Sequence, residues 1–236
     1  MTYYHRDYIV KYDKKIIDAF FELLRGGLWP YCEHTADSLL HNWAVDWHKV
    51  YQLASEQSVL GLVLAGIERL PLNQRPPKMV LLQWIGEVQM VEWQNKQMNQ
   101  ELAEFASIYE NENLEYVVVK GQTIGCLYPK PGLRQAGDID FLVHGEENVI
   151  NDFSKALGVD IPKMVEYEVG FDRNDIRYEL HTSLRGWAAK KHQQKWDEMI
   201  DNEWSKKYFV DIDGESIRTL SPMVNAAYIS FIRFFT

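Results

Sequence analysis

From Lys78 to Asn113 the chain has no proline and a single glycine, Gly86, and its apolar residues keep a helical step. Leu81, Trp84, Val88, Val91, Met98, Leu102, Phe105 and Ile108 form the stripe, and that spacing predicts one long helix. No strand fits inside such a run, so any sheet must be built from other segments. Upstream, residues 12–25 place Ile16, Phe20, Leu23 and Leu24 at helical spacing, and Gly26-Gly27 is expected to end that helix. A second pattern, from Trp47 to Leu70, passes through Val50, Leu53, Leu60, Val63, Leu64 and Ile67 until Pro71 and the segment Asn73-Gln74-Arg75-Pro76-Pro77 break it. Residues 1–113 therefore read as a helical module.

The texture changes at Tyr116. YVVVKG is a short β-branched run closed by glycine and reads as a buried strand. QTIGCLYP suits a short helix, KPGLRQAG is loop chemistry, and DIDFLV reads as a second strand. Residues 151–157 look helical, IRYELHTSL is strand-like, and YFVDIDGESIRTL predicts a hairpin turning at Asp213-Gly214. Ser221-Pro222 then supplies a helix start, serine as N-cap and proline in the first turn. The expected organisation is a helical module at 1–113, an α+β core at 114–220 and the start of a C-terminal helix at 221–236. That last helix ends in NAAYISFIRFFT, an unfinished apolar stripe. Two readings stay open for it: packing back onto the core, or continuation of the helix in a longer protein.

Composition narrows the partners. A formal net charge of -9 repels a phosphate backbone at long range, so nucleic acid is disfavoured, although a local pocket for one triphosphate is not. The two cysteines, Cys32 and Cys126, lie far apart without metal-binding spacing, which fits a reducing compartment. The N-terminus is polar and no stretch approaches the roughly 20 apolar residues of a membrane span. A soluble cytoplasmic protein is expected.

Asp138 and Asp140 carry the chemistry. On a strand, side chains alternate, so both carboxylates project from one face while Ile139 and Phe141 point to the other. Two carboxylates about 7 Å apart repel each other unless a cation lies between them. Mg²⁺ accepts such oxygen ligands and completes its shell with water and substrate phosphates. Upstream, Lys120-Gly121 stands where a strand hands over to a helix, and exposed backbone N–H groups with a lysine there suit phosphate oxygens. Arg134, four residues before Asp138, suits a bidentate clamp on the same phosphates.

The run VVVKGQTIGCLYPKPGLRQAGDIDFLV resembles the DNA polymerase beta-type nucleotidyltransferase superfamily: a strand, a small-residue pair opening a helix, a loop, and an acidic pair on the next strand. More narrowly, KG…YP…R…DIDFLV looks like a poorly characterised bacterial branch. The likeness is specific over residues 116–143 and thins beyond 182. It implies an α+β nucleotidyltransferase core with a mixed β-sheet, preceded here by the helical module. It also implies an NTP as substrate, Mg²⁺ or Mn²⁺ as cofactor and a third carboxylate on a later strand. Glu179 in RYELHTSL fits the family's apolar–acid–apolar pattern, with His181 on the same face. The implied metal ligands are Asp138, Asp140 and Glu179. Lys120, Gly121, Gln122 and Arg134 are the implied phosphate ligands, Gly121-Gln122 standing where Gly-Gly or Gly-Ser is usual. The implied reaction transfers a nucleoside monophosphate to a hydroxyl acceptor of unknown identity and releases pyrophosphate.

Other signals are weaker. DIDGE at 211–215 resembles the opening of a calcium loop but lacks the closing glutamate, and a tight turn is the better reading. His41, His48, His181 and His192 show no zinc pairing, and Trp43, Trp47, Trp84 and Trp93 read as core. Two alternatives remain open: a nucleotide-sugar glycosyltransferase using Asp-x-Asp, and a non-catalytic pseudoenzyme or antitoxin-like protein. In the latter, the helical module would supply the surface for a protein partner.

Overall fold

Helices form where the apolar step predicts them, and two begin at an aspartate that caps them. The computed structural model describes residues 11–29, 45–112, 115–144, 147–184 and 190–235, with the side chains of 109–112, 147 and 231–235 outside the description. Cys32, His41, Trp43 and the last apolar residues of the terminal stripe fall outside it. The described chain packs as two compact units. One runs up to Lys96 and includes Leu127–Gln135; the other comprises Gln97–Cys126 and the chain from Ala136 onward.

In the first unit, Asp13 accepts from the Ile16 amide at 3.0 Å and opens α1 (Lys14–Leu28). Asp46 does the same for α2 (Trp47–Glu56), and α3 is Leu60–Ile67. The long run folds as α4 (Lys78–Glu112), whose residues from Gln97 on belong to the second unit. Leu23, Val50, Val63, Ile67 and Trp84 are fully buried in the first unit's core. The Trp84 indole donates to the Leu60 carbonyl at 3.0 Å, so its one polar group is satisfied.

Two helix boundaries differ from expectation. The stretch from Trp47 to Leu70 is two helices, because Ser58 adopts φ 54°. The Ser58 amide bonds Ser55 O and the Val59 amide bonds Ala54 O, the paired closure of a helix end that glycine usually provides. Gly26-Gly27, in turn, does not stop α1, which continues to Leu28. The glycines thin the helix where it crosses α3: a β-carbon on Gly27 would run into the Leu62 carbonyl, and one on Gly66 into that of Leu23. Neither carbonyl can swing aside. Gly66→Ala should therefore destabilise the first unit by about 1–3 kcal/mol, seen as a lowered midpoint in denaturant unfolding. An unchanged midpoint would mean the helices do not cross this closely.

The second unit is built on a mixed six-stranded sheet, ordered β3-β4-β2-β1-β6-β5. Its strands are β1 (Tyr116–Val119), β2 (Asp138–Val143), β3 (Glu168–Arg173), β4 (Ile176–His181), β5 (Tyr208–Ile212) and β6 (Glu215–Thr219). β2 runs parallel to β4 and β1 parallel to β6, while β1–β2, β3–β4 and β5–β6 are antiparallel. Among the described residues, the end of α4 and four further helices complete the unit: α5 (Gly121–Gly125), α6 (Glu147–Leu157), α7 (Lys190–Trp204) and α8 (Pro222–Phe235). The fold is α+β with a mixed sheet, and the chain before it is helical, as expected.

Alternation gives the sheet two different faces. Tyr116, Val118, Ile139, Phe141, Tyr178 and Leu180 pack with Phe105 of α4 and Phe153 of α6. Phe105 stacks on Phe141 with centroids 4.6 Å apart and on Tyr178 at 5.4 Å. Val117, Val119 and Leu142 face the other way, against Trp196, Ile200 and Trp204 of α7 and Val224 and Tyr228 of α8. Asp138 and Asp140 share the parity of Leu142, so they belong to this second face. Ser221 stands at the expected N-cap before Pro222, its carbonyl accepting from the Asn225 amide at 2.9 Å. Its hydroxyl, however, is buried without a partner and makes no cap bond, while its amide donates to Glu203 at 3.1 Å. The Asp213-Gly214 turn forms as expected, with φ 53° and 93°.

Candidate active site

Lys120 ends β1 at φ 56°, ψ -139°, and turns the chain into the five-residue α5. Gly121 follows at φ 38°, a conformation that glycine takes without strain. The turn is tied by Thr123, whose hydroxyl donates to the Lys120 carbonyl at 2.7 Å. That bond helps fix where the Lys120 stem leaves the sheet.

Pairing of β2 with β4 supplies the rest. The register sets Asp140 opposite Glu179, Asp138 opposite Arg177 and Leu142 opposite His181. The strands run side by side at about 4.8 Å, so Asp140 and Glu179 are immediate neighbours on the α7–α8 face. Asp140 is fully buried. Its Oδ1 receives Lys120 Nζ at 2.9 Å and lies 3.0 Å from His181 Nε2. His181 Nε2 is also 3.6 Å from Glu179 Oε2, and its Nδ1 is 3.5 Å from Glu168 Oε2. One oxygen each from Asp140 and Glu179 and one His181 nitrogen lie within 4.8 Å of one another. Lys120, Glu168, Glu179, His181 and Tyr228 line a cavity of about 640 Å³.

Electrostatics set the two acids apart. Burial would push Asp140 up, but the His181 hydrogen bond and the Lys120 ammonium outweigh it and hold the carboxyl below its usual range. Glu179 is pushed up, first by burial and then by the charges of Asp140 and Asp138. Lys120 is held above its usual range, because the Asp140 carboxylate outweighs the burial that opposes it. Burial moves the Tyr228 phenol up to about 12, against the opposing charge of Lys120.

The donor set fits a divalent cation. Asp140 Oδ2 is buried with no hydrogen-bond partner, an orphan that costs free energy unless something else meets it. The Asp140 and Glu179 carboxylates and the His181 imidazole, with one ligand atom each within 4.8 Å of the others, offer a mixed oxygen and nitrogen shell.

Residues 44–231 match the model of a family described as uncharacterised nucleotidyltransferase. The chain belongs to that family. A crystal structure of an antigenic nucleotidyltransferase-like protein from Paracoccidioides brasiliensis is similar at 15% identity and a TM-score of 0.35. That match covers 54% of this chain and 62% of the other, so the chain spans less than two thirds of that protein. No curated protein matches.

Against the resemblance, this nucleotidyltransferase family member places its expected site residues unevenly. Asp140 and Glu179 come together, with His181 between them and Lys120 bound to Asp140. Asp138, half-buried, lies one alternation along β2 and outside the three-residue group, but its charge acts on both Lys120 and Glu179. Gly121 is buried at the turn, and Gln122 is buried too, its side-chain amide 3.5 Å from Met98 Sδ. Arg134 belongs to the first unit, where its carbonyl accepts from Asn95 at 2.7 Å. Two residues at the site had no sequence signal. Glu168 sits on β3, whose run EVGFDR carries too many charges to read as a strand, and Tyr228 looked like one more apolar position of α8. Among the described residues no helix is long and apolar enough to cross a membrane.

Proposed function

We propose that the chain is a divalent-metal-dependent nucleotidyltransferase of the DNA polymerase beta type, in the bacterial branch its KG…YP…R…DIDFLV run resembles. It transfers a nucleoside monophosphate from an NTP to a hydroxyl acceptor and releases pyrophosphate. The observation that carries this reading is the clustering of one ligand atom each from Asp140, Glu179 and His181 within 4.8 Å of one another, Glu179 and His181 lining a cavity of about 640 Å³. That volume is within the usual range for a small-molecule site, roughly 300–1,000 Å³.

Asp140, Glu179 and His181 would hold the ion, with Asp138 completing the acidic face. The imidazole nitrogen makes Mn²⁺ at least as suitable as Mg²⁺, which prefers oxygen alone. In the metal-free site His181 Nε2 donates to Asp140 Oδ1; to act as a ligand it would give up that proton, with Nδ1–H held toward Glu168 Oε2, 3.5 Å away. When bound, such an ion lowers the pKa of an acceptor hydroxyl and offsets phosphate charge. Lys120 and the backbone around Gly121 and Gln122 are the proposed phosphate partners. The proposed catalytic domain is 114–220, with 1–113 as the surface for any protein partner and, given the net charge of -9, no nucleic acid.

Pyrophosphate release tests the proposal. With Mn²⁺ or Mg²⁺ present, one or more NTPs should be turned over in the presence of a lysate supplying acceptors. The Asp138→Ala, Asp140→Ala double variant should show no such turnover. Equal turnover by that variant would refute the assignment.

A further inference from the structure

We infer that Lys120 is a resident counter-ion for Asp140 that competes with the divalent cation and is released toward the phosphates when the cation enters. This rests on the metal reading above, and it gives one side chain two successive partners. Asp140 has no exposure, and a buried carboxylate requires an opposite charge or a full set of donors. Lys120 Nζ, at 2.9 Å, supplies that charge. Together with His181 it serves Oδ1 alone and leaves Oδ2 bare. Asp140 itself is thus charge-paired without a metal, yet its second oxygen is unsatisfied.

A divalent ion bound by Asp140 would stand within a few ångströms of the ammonium. Like charges at that range repel strongly where water is scarce, so the ion and Lys120 cannot share the carboxylate on equal terms. The lysine has somewhere to go. Its side chain is 24% exposed and lines the cavity, and Nζ is 5.5 Å from the centroid of the Tyr228 ring, a face that attracts cations. Movement needs only side-chain torsions. The backbone supports a role for this side chain: at φ 56° glycine would sit without strain, whereas a β-carbon is held there against its preference. Coupling is reciprocal. If the cation releases Lys120 for phosphate, a bound triphosphate that engages Lys120 must in turn strengthen cation binding.

Mn²⁺ titration without nucleotide, followed by electron paramagnetic resonance of the free ion, tests this directly. Lys120→Met and Lys120→Gly should bind Mn²⁺ about tenfold more tightly than the parent, while Lys120→Arg should bind no better. Glycine suits the left-handed backbone, so that variant keeps the turn if methionine disturbs it. A non-hydrolysable NTP analogue should tighten Mn²⁺ binding in the parent and have a much smaller effect on it in both uncharged variants. If the parent binds Mn²⁺ in an Asp140-dependent way but neither uncharged variant binds it more tightly, the competition is overturned and the metal reading stands. If no protein binds Mn²⁺ through Asp140, both are overturned.

Discussion

Asp140→Asn should abolish Mn²⁺-dependent NTP turnover, by about a thousandfold or more, while leaving the chain folded. Asparagine has the shape of aspartate and keeps one acceptor oxygen for Lys120 and His181, so the charge is what is lost. The cost to stability is expected to be about 1–3 kcal/mol, since Lys120 loses a charged partner but can turn into the cavity. Asp140→Ala should cost more, because both neighbours then lose their acceptor. The acid limb carries the sign. Because the folded state holds the Asp140 carboxyl below its usual range, its contribution is present above the ordinary carboxylate pKa and disappears as pH falls through the depressed value. Urea midpoints measured from pH 7 downward should converge for parent and Asp140→Asn in acid. A constant gap across that range would show that the stabilisation does not come from the ionised carboxylate.

What the sequence disclosed follows from how local each signal is. The Asp138–Asp140 alternation, the Lys120-Gly121 turn and the length of α4 are read within one segment, and each appears where its residues place it. Register is different. That Asp140 faces Glu179 depends on a parallel pairing between strands separated by α6 and β3, and only the family pattern suggested it. The helix α7 went unread because KKHQQKWDEMIDNEW is polar almost all round; Trp196, Ile200 and Trp204 form a stripe too narrow to stand out. Ser58 closes a helix in the manner of a glycine, and Gly27 sits inside one, so both reversed the usual sign of their residue type. For Gly27 and α7 a tertiary contact outweighs the local propensity, whereas Ser58 is held by the local backbone bonds of the helix end. Lys120 is the instructive site residue: its type suggested phosphate, and only coordinates could place it on Asp140 instead.

Glu179→Gln should act in opposite directions on stability and on function. Burial and the charges of Asp140 and Asp138 raise the Glu179 pKa, so the folded protein binds its proton more tightly than the unfolded chain. Its stabilising share is therefore complete below the ordinary glutamate pKa and is lost as pH rises through the raised value. At neutral pH the ionised carboxylate is a net cost. Replacing it with glutamine should raise the melting temperature of the metal-free protein by about 1–4 °C at pH 7, because the side chain is 31% exposed and solvent screens part of the repulsion. Lowering the pH toward the ordinary glutamate range should erase that advantage. Function should move the other way: the variant should bind Mn²⁺ about a hundredfold more weakly, with turnover falling at least as far. Added Mn²⁺ should then stabilise the parent far more than the variant and reverse their order. The reversal is the decisive reading. Only a cation received by this carboxylate turns a repulsive cluster into a stabilising one, and a glutamine variant still the more stable of the two at saturating Mn²⁺ would leave Glu179 outside the metal's ligands.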